Sequence, residues 1–346
     1  MKKKIALITG GNSGELDISL KSAGIILKHI DRKNYEVYSI VITGNEWWFY
    51  SDSGTKYLID KNDFSLTTDG NKITFDCVFI AIHGTPGEDG KLQGYFDLMN
   101  IPYTSCDLFT SALTFNKYFA GLAVNNLGVP VAKSVFLALG DTVDTQKILE
   151  TTGLPCFVKP NKGGSSVGVV KVDSQDQLTS AIANAFQHDD EVLIQQYIKG
   201  REITCGLISY KGEVIVFPLC EIVSKKEFFD YEAKYTPGMA DEILPAPIGK
   251  ELDSRCRELS VYLYKSLNCK GIVRFDYMLN QDKFYFLEVN TIPGLTENSI
   301  VPRQARAMGI SMTELFTMAI EDAVQWHDKR RYLSQPGNRS KNRISG

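Results

Sequence analysis

Cysteine pairs at redox or metal-binding spacing are missing. The seven cysteines (77, 106, 156, 205, 220, 256 and 269) are scattered, odd in number, and never form C-x-x-C. This excludes a disulfide framework or a cysteine-type zinc site and suits small buried hydrophobes in a reducing compartment. No apolar run approaches a membrane span. The start, MKKKIALITGG, is basic, but its apolar run stops at Ile8. That is too short for a signal peptide and reads as a first β-strand. A dominant charge is also lacking: 38 Lys and Arg face 41 Asp and Glu, a net −3. No global basic field exists to hold nucleic acid or an anionic membrane. The phosphate loop G-x-x-x-x-G-K-[ST] is absent, and no internal repeat is visible. What remains is an ordinary globular composition, 43% apolar and 23% charged over 346 residues. That length allows two or three cored domains, expected in the cytoplasm.

KIALITG (4–10), YEVYSIVIT (35–43) and CVFIAI (77–82) read as apolar strands, with a helix over Ser19–Ile30 between the first two. Strand, helix, strand predicts a parallel α/β unit, whose ligands sit beyond the C-terminal strand ends. GGNSGE (10–15) and HGTPGEDG (83–90) should therefore share one rim. A helical stretch covers 111–128. CFVKP (156–160) and VGVVKV (167–172) predict a hairpin tipped by NKGGSS (161–166), followed by a capping box, Ser174-x-x-Gln177, and a helix. Strands follow at 191–198, 202–209 and 213–219. The segment 221–247 has no sustained period and reads as a lid. A helix over 250–267, strands at 271–279 and 283–290, and a last helix over Thr313–Trp326 complete the pattern. The basic tail, 328–346, receives no role. The expected domains are 1–105, 106–194 and 195–327, then this tail.

Three clusters carry chemistry. The glycine-rich turn Gly163–Gly168 exposes backbone N–H groups to phosphate, and Lys159 stands at its base. Gly164–Gly168 also fits G-x-S-x-G, but that elbow needs a helix directly after it, and a β-branched strand follows. A plain hairpin tip is the other alternative. In the second cluster, period two puts Arg274, Asp276 and Met278 on one face of their strand, and likewise Phe286, Glu288 and Asn290 on one face of theirs. A three-residue turn, Gln281–Lys283, would pair 280 with 284, Asp276 with Glu288, and Arg274 with Asn290. A two-residue turn would shift the parity and disperse the group. Opposed carboxylates call for a cation between them, and oxygen ligands suit Mg²⁺. An exposed, salt-bridged sheet face is the alternative. The third cluster is the rim, where Glu15 and His83 lie with Ser13 and Glu88 close in sequence. Each alone would fit an ordinary loop group.

Together these segments resemble the D-alanine–D-alanine ligases of the ATP-grasp superfamily over residues 4–325. HGTPGEDGKLQG (83–94), KPNKGGSSVGV (159–169), FDYEAKY (229–235), RFDYML (274–279) and LEVNTIPGLTENSIVP (287–302) match in order. The resemblance implies an α/β protein, α+β in its ATP-binding part. This is the ATP-grasp fold, with an N-terminal parallel α/β domain and two α+β subdomains sandwiching ATP. It implies that Lys117 and Lys159 contact the phosphates under the loop carrying Ser165 and Ser166. Gln195, Tyr197 and Ile198 would line the adenine, and Glu202 would hold the ribose. Asp276, Glu288 and Asn290 would bind two Mg²⁺ ions, with Mn²⁺ also accepted, and Lys234 would reach the phosphate. Glu15 would hold the ammonium of the first D-alanine, with His83 near its carboxylate. Arg274, the backbone at Gly294, and Ser299 would hold the second D-alanine and the oxyanion. Glu15, Ser165 and Tyr235 would form a linked catalytic set. Three positions depart from the common pattern: Leu16-Asp17, Asn116 and Gln195. The carbonyl of Gln195 is expected to keep accepting from the adenine amino group. The implied activity is ATP-dependent joining of two D-alanines for peptidoglycan precursors. A D-Ala–D-Lac or D-Ala–D-Ser ligase of the same fold is the alternative. The partners are D-alanine, ATP and a second copy in a homodimer, with no nucleic acid or membrane.

Overall fold

The computed structural model describes residues 1–224 and 240–334. Its first sheet begins with β1 (Lys3–Gly10), β2 (Tyr35–Thr43), β3 (Glu46–Tyr50), β4 (Lys56–Asp60), β5 (Ser65–Thr68) and β6 (Asn71–Ile73). β7 (Cys77–Ile80) and β8 (Tyr103–Thr104) complete it, in the order β6-β5-β4-β3-β2-β1-β7-β8. Strand alternation gives β1 two buried faces. Ile5 and Leu7 pack with Ala23 and Ile26 of α1 (Leu16–His29), while Ala6 and Ile8 pack with Leu92 and Phe96 of α2 (Lys91–Met99). Only β2-β1-β7-β8 is parallel; β2 through β6 pair antiparallel. The expected parallel domain is thus a mixed sheet. Gly44-Asn45 joins β2 to β3 as a two-residue hairpin loop, with Gly44 at φ 53°. Gly-Asn is a turn signal, and it is legible in the sequence.

The expected single helix over 111–128 is two, α3 (Leu108–Phe115) and α4 (Lys117–Asn126). Asn116 between them is extended, and its side chain accepts from the Phe119 N–H, capping α4. A second, antiparallel sheet follows. It holds β9 (Ser134–Ala138), β10 (Cys156–Pro160), β11 (Val170–Val172) and β12 (Glu191–Gln196), in the order β11-β10-β12-β9. α5 (Thr145–Thr152) and α6 (Leu178–Ala185) back it, with Ile148, Leu178 and Ile182 against Val158 and Ile194. The capping box at Ser174 and Gln177 is formed. An edge at 194 would cut β12, whose Gln195 and Gln196 still pair with β10.

The third sheet contains β13 (Arg201–Tyr210), β14 (Glu213–Val216), β15 (Cys220–Ser224), β16 (Ala240–Ile243), β17 (Ile272–Asn280) and β18 (Lys283–Asn290). β15 and β16 pair antiparallel, so the ends of the 221–247 segment are sheet rather than irregular. α7 (Lys250–Ser266) covers one face with Cys256 and Leu263. α8 (Ile300–Ala307) lies on the other, where Gln304 donates to the Thr204 carbonyl. α9 (Met312–Ser334) returns to the first sheet, with Leu315 and Phe316 in the core of Ile5 and Phe79. It runs past 328, where the sequence pattern predicted a mobile tail.

Candidate active site

Parallel neighbours β1 and β7 end on one edge, so their loops meet. The Asn12 N–H donates to the Thr85 carbonyl at 3.0 Å, and the Ser13 hydroxyl donates to the His83 carbonyl at 3.0 Å. Glu15 follows, and Ser165 Oγ donates to its Oε1 at 2.5 Å. The carboxylate is wedged between two glycines. A Cβ at Gly164 would sit 2.8 Å from Glu15 Oε1, and one at Gly84 would sit 3.2 Å from Oε2. Only a residue without a side chain fits at 164 unless Glu15 moves.

His83 is 5% exposed, and both its ring nitrogens are engaged. Nδ1 lies 3.0 Å from the Ile292 carbonyl, which only accepts, so Nδ1 carries the hydrogen. Nε2 then accepts from the Ser22 hydroxyl at 3.1 Å. Burial lowers the pKa of this imidazole and outweighs the opposing pull of Glu15. Expected beside the first substrate's carboxylate, His83 is instead bonded to protein on both edges. Glu88 lies nearby, partly buried. Its Oε2 accepts from the Gly84 N–H at 2.8 Å and its Oε1 from the Ile292 N–H at 3.4 Å. Burial first, and Glu15 second, push its carboxyl up to about 8.

The opposite wall carries the cations. Lys117 opens α4, and its Nζ donates to the Gly163 carbonyl at 2.5 Å and stands 3.7 Å from Glu288. Asn116 steadies it twice, through the cap and through Nδ2 donating to Glu191 at 3.0 Å. An aspartate here would set two carboxylates side by side, which explains why asparagine suits this chain. Lys159 Nζ donates to Gln195 Oε1 at 2.8 Å, so the oxygen expected to face adenine bonds to the lysine. Ser165 and Ser166 sit at φ 55° and 57°, a left-handed pair that turns the loop back over the sheet.

The carboxylate ribbon forms by a different route from the one expected. The turn has two residues, pairing Asn280 with Lys283, the case that should disperse the cluster. A β-bulge between Asp276 and Tyr277 restores the parity, leaving Leu287 unpaired. Asp276 then opposes Glu288, and Arg274 opposes Asn290. Arg274 forks onto Asp276 through Nε at 2.8 Å and Nη2 at 2.7 Å, and Asn290 Nδ2 donates to Asp276 at 2.9 Å. Burial alone would lower the Arg274 pKa, but Asp276, then Glu288 and Glu202, outweigh it and hold the guanidinium charged.

One cavity of about 1020 Å³ gathers most of these groups. Glu15, Lys117, Lys159, Ser165, Ser166, Gln195, Tyr197, Ile198, Glu202, Asp276 and Glu288 line it. His83, Arg274, Asn290, Gly294 and Ser299 stand behind its wall. Arg274 and Asn290 reach it through Asp276, and His83 joins it at Gly84. Ser299 precedes α8, and its Oγ accepts from the Thr296 N–H at 3.1 Å, 3.0 Å from where a Gly294 Cβ would be. Lys234 and Tyr235 lie outside the described residues. Among the described residues no group of three or more His, Cys, Asp and Glu side chains is gathered for a metal. The oxygen set on offer is Asp276, Glu288 and the Asn290 amide. Sequence reasoning missed the roles of Glu88, Ser22 and Asn161. The last is fully buried, its Oδ1 accepting from the Tyr118 N–H and its Nδ2 donating to Glu191. A polar residue flanking each glycine-rich loop was the only signal.

A glycine-rich loop over an antiparallel sheet, a second sheet bearing paired acids, and a cleft between them define an ATP-grasp protein. The comparisons narrow this. The D-ala D-ala ligase N-terminus family matches residues 4–106 and the D-ala D-ala ligase C-terminus family residues 123–321. The D-alanine--D-alanine ligase of Flavobacterium johnsoniae is 47% identical over 92% of this chain and 98% of its own. That of Bacteroides fragilis strain YCH46 is 44% identical over 93% and 99%. Among solved structures, the VanG D-Ala:D-Ser ligase from Enterococcus faecalis is 35% identical. Its TM-score is 0.83, over 93% of this chain and 99% of that one. The Bacillus anthracis D-alanine--D-alanine ligase complexed with ATP is 28% identical at TM-score 0.77, over 95% and 99%. The chain belongs to the D-alanine–D-alanine ligase family.

Proposed function

We propose that this chain joins two D-alanines into D-alanyl-D-alanine, with conversion of ATP to ADP and phosphate, as a cytoplasmic step toward peptidoglycan precursors. The observation that carries this is one cavity lined by Glu15 and Ser165 together with Lys117, Lys159, Asp276 and Glu288. A carboxylate able to hold a small ammonium faces a platform suited to a triphosphate.

A carboxylate is a poor electrophile. Transfer of the γ-phosphoryl group to the carboxylate oxygen of the first D-alanine, with ADP leaving, makes an acyl phosphate, whose phosphate departs when the acyl carbon is attacked. Glu15 holds the donor's ammonium. Lys117 and Lys159 position the phosphates, and the 163–168 loop covers them; such transfer is largely positioning and charge neutralisation. The second amine, deprotonated, attacks the acyl carbon, and the tetrahedral oxyanion needs preorganised donors. Arg274 spends Nε and Nη2 on Asp276, which leaves its Nη1 edge for that oxyanion, and the Gly294 N–H is the second donor proposed for it. Ser299 orients the acceptor. Asp276, Glu288 and Asn290 fit one or two Mg²⁺ ions, or Mn²⁺, because they supply oxygen donors from directly opposed positions of two paired strands. When bound, the metal supplies charge neutralisation on the phosphates.

FDYEAKY (229–235) supports an amine rather than a hydroxy-acid acceptor. The likeness to a D-Ala:D-Ser ligase makes D-serine the competing acceptor to test. The deciding assay is phosphate release from ATP with D-alanine alone, or D-alanine with D-serine or D-lactate, and with L-alanine as control, the products identified by mass. D-Alanyl-D-alanine as the main product is expected. A mixed product or an L-alanine product overturns the reading. The homodimer belongs to the same proposal, and sedimentation of the free chain tests it. Among the described residues, no helix is long and apolar enough to cross a membrane.

A further inference from the structure

Glu88 is a partly buried acid for which the chemistry above has no use. It stands in the 83–90 loop of the first sheet, and its two oxygens reach two different parts of the molecule. One accepts from Gly84 in its own loop at 2.8 Å; the other accepts from Ile292, in the segment after β18, at 3.4 Å. His83 grips the same residue on its other side, with Nδ1 donating to the Ile292 carbonyl at 3.0 Å. The Ile292 side chain is itself buried against the first sheet's core. Both backbone polar groups of one residue, and so the two successive peptide units that flank its Cα, are thus held by one loop about 200 residues earlier in sequence.

The position of that residue matters. Ile292 comes two residues after Asn290, which donates to Asp276, and two before Gly294. We propose that Glu88 is a positioning residue for the acceptor. With His83 it fixes the Ile292 backbone, and so sets where the 290–299 segment presents the second D-alanine to the acyl group made beside Glu15. Ser22 completes the clamp by holding the far edge of His83 at 3.1 Å. The clamp touches no reacting atom. It fixes the distance between two subsites that belong to different sheets. The inference rests on the ligase reading above.

The test separates donor chemistry from acceptor placement. Hydroxylamine intercepts an acyl phosphate by attacking the acyl carbon and expelling phosphate, giving D-alanyl hydroxamate without needing an ordered acceptor subsite. In Glu88→Ala, dipeptide formation at subsaturating D-alanine should fall by about tenfold or more, because small misplacements cost heavily in a near-attack geometry. The acceptor KM should rise, and phosphate released per dipeptide should increase. Hydroxamate formation should stay within about threefold of the parent. Equal loss of dipeptide and hydroxamate, or no loss of either, overturns the proposal. If Glu88→Ala does not fold, Glu88→Gln decides. It is isosteric and keeps one acceptor but turns an NH₂ toward the second N–H, so the same split should appear at smaller size. A parent enzyme that yields neither hydroxamate nor dipeptide contradicts the ligase reading instead.

Discussion

The rim around Glu15 and the ribbon bearing Asp276 are held together by different forces. At the rim, glycines, backbone carbonyls, two hydroxyls and a neutral imidazole set the positions. On the ribbon, charge does the same job: Arg274 forks onto Asp276, and Lys117 faces Glu288. At the rim, backbone hydrogen bonds and close approach around Glu15 set the positions without a side-chain cation. The ribbon's acids are balanced by side-chain cations that other cations and phosphates can join. A substitution at the rim should therefore displace a ligand, while one on the ribbon should unbalance charge. The two kinds of damage have different signatures.

The largest effect is expected on the ribbon. Arg274→Ala removes the proposed oxyanion donor and leaves the buried Asp276 without its fork, so kcat should fall by at least about 10²–10³. Its unfolding free energy should also drop, by about 3–5 kcal/mol, the usual result of stripping one partner from a buried pair. Initial rates and denaturant unfolding measure both, and a variant with parental kcat would remove the assigned role. At the rim, Gly164→Ala should do the opposite. Its Cβ would sit 2.8 Å from Glu15 Oε1, so kcat/KM for donor D-alanine should fall about tenfold while the thermal midpoint barely moves. A large loss of stability with unchanged kcat/KM would reverse the contrast.

A smaller effect is expected from pH. The Glu88 carboxyl, ordinarily near 4.5, is raised to about 8, with Glu15 and Lys117 facing it. The folded protein therefore keeps a proton that the unfolded chain releases. This stabilisation is complete below pH 4.5 and is lost as pH rises toward 8. Denaturant unfolding at pH 5 and pH 8 should show that decline, and Glu88→Gln should flatten it. An equal slope in both proteins would place the proton elsewhere. The smallest effect is that of Asn116→Asp. It keeps the α4 cap but sets a carboxylate against Glu191, costing about 1 kcal/mol by thermal or chemical unfolding.

The rim was legible in the sequence because parallel strands fix their loops by topology alone. Apolar runs at 4–10 and 77–82 are enough to bring Glu15 and His83 together. The ribbon was legible only in part. Period two named Arg274, Asp276, Glu288 and Asn290, but their convergence depends on the bulge at Leu287, which compensates a two-residue turn. A bulge leaves no clear mark in residue type here, since leucine suits either a regular strand or a bulged one. The antiparallel extension at 46–73 was overlooked, although Gly44-Asn45 signals its first hairpin. The break at Asn116 was hidden by helix formers on both sides of it. The Glu88 and His83 clamp could not be read, because it joins residues some 200 positions apart through backbone groups that carry no sequence signature.

The most direct test is a crystal structure with ADP, Mg²⁺ and a phosphorylated phosphinate mimic of the dipeptide intermediate. The account predicts metal density bridging Asp276 and Glu288, and the mimic's ammonium within hydrogen-bond distance of Glu15 in the same cavity. Nucleotide or mimic bound away from that cavity, with no metal at the two acids, would contradict it.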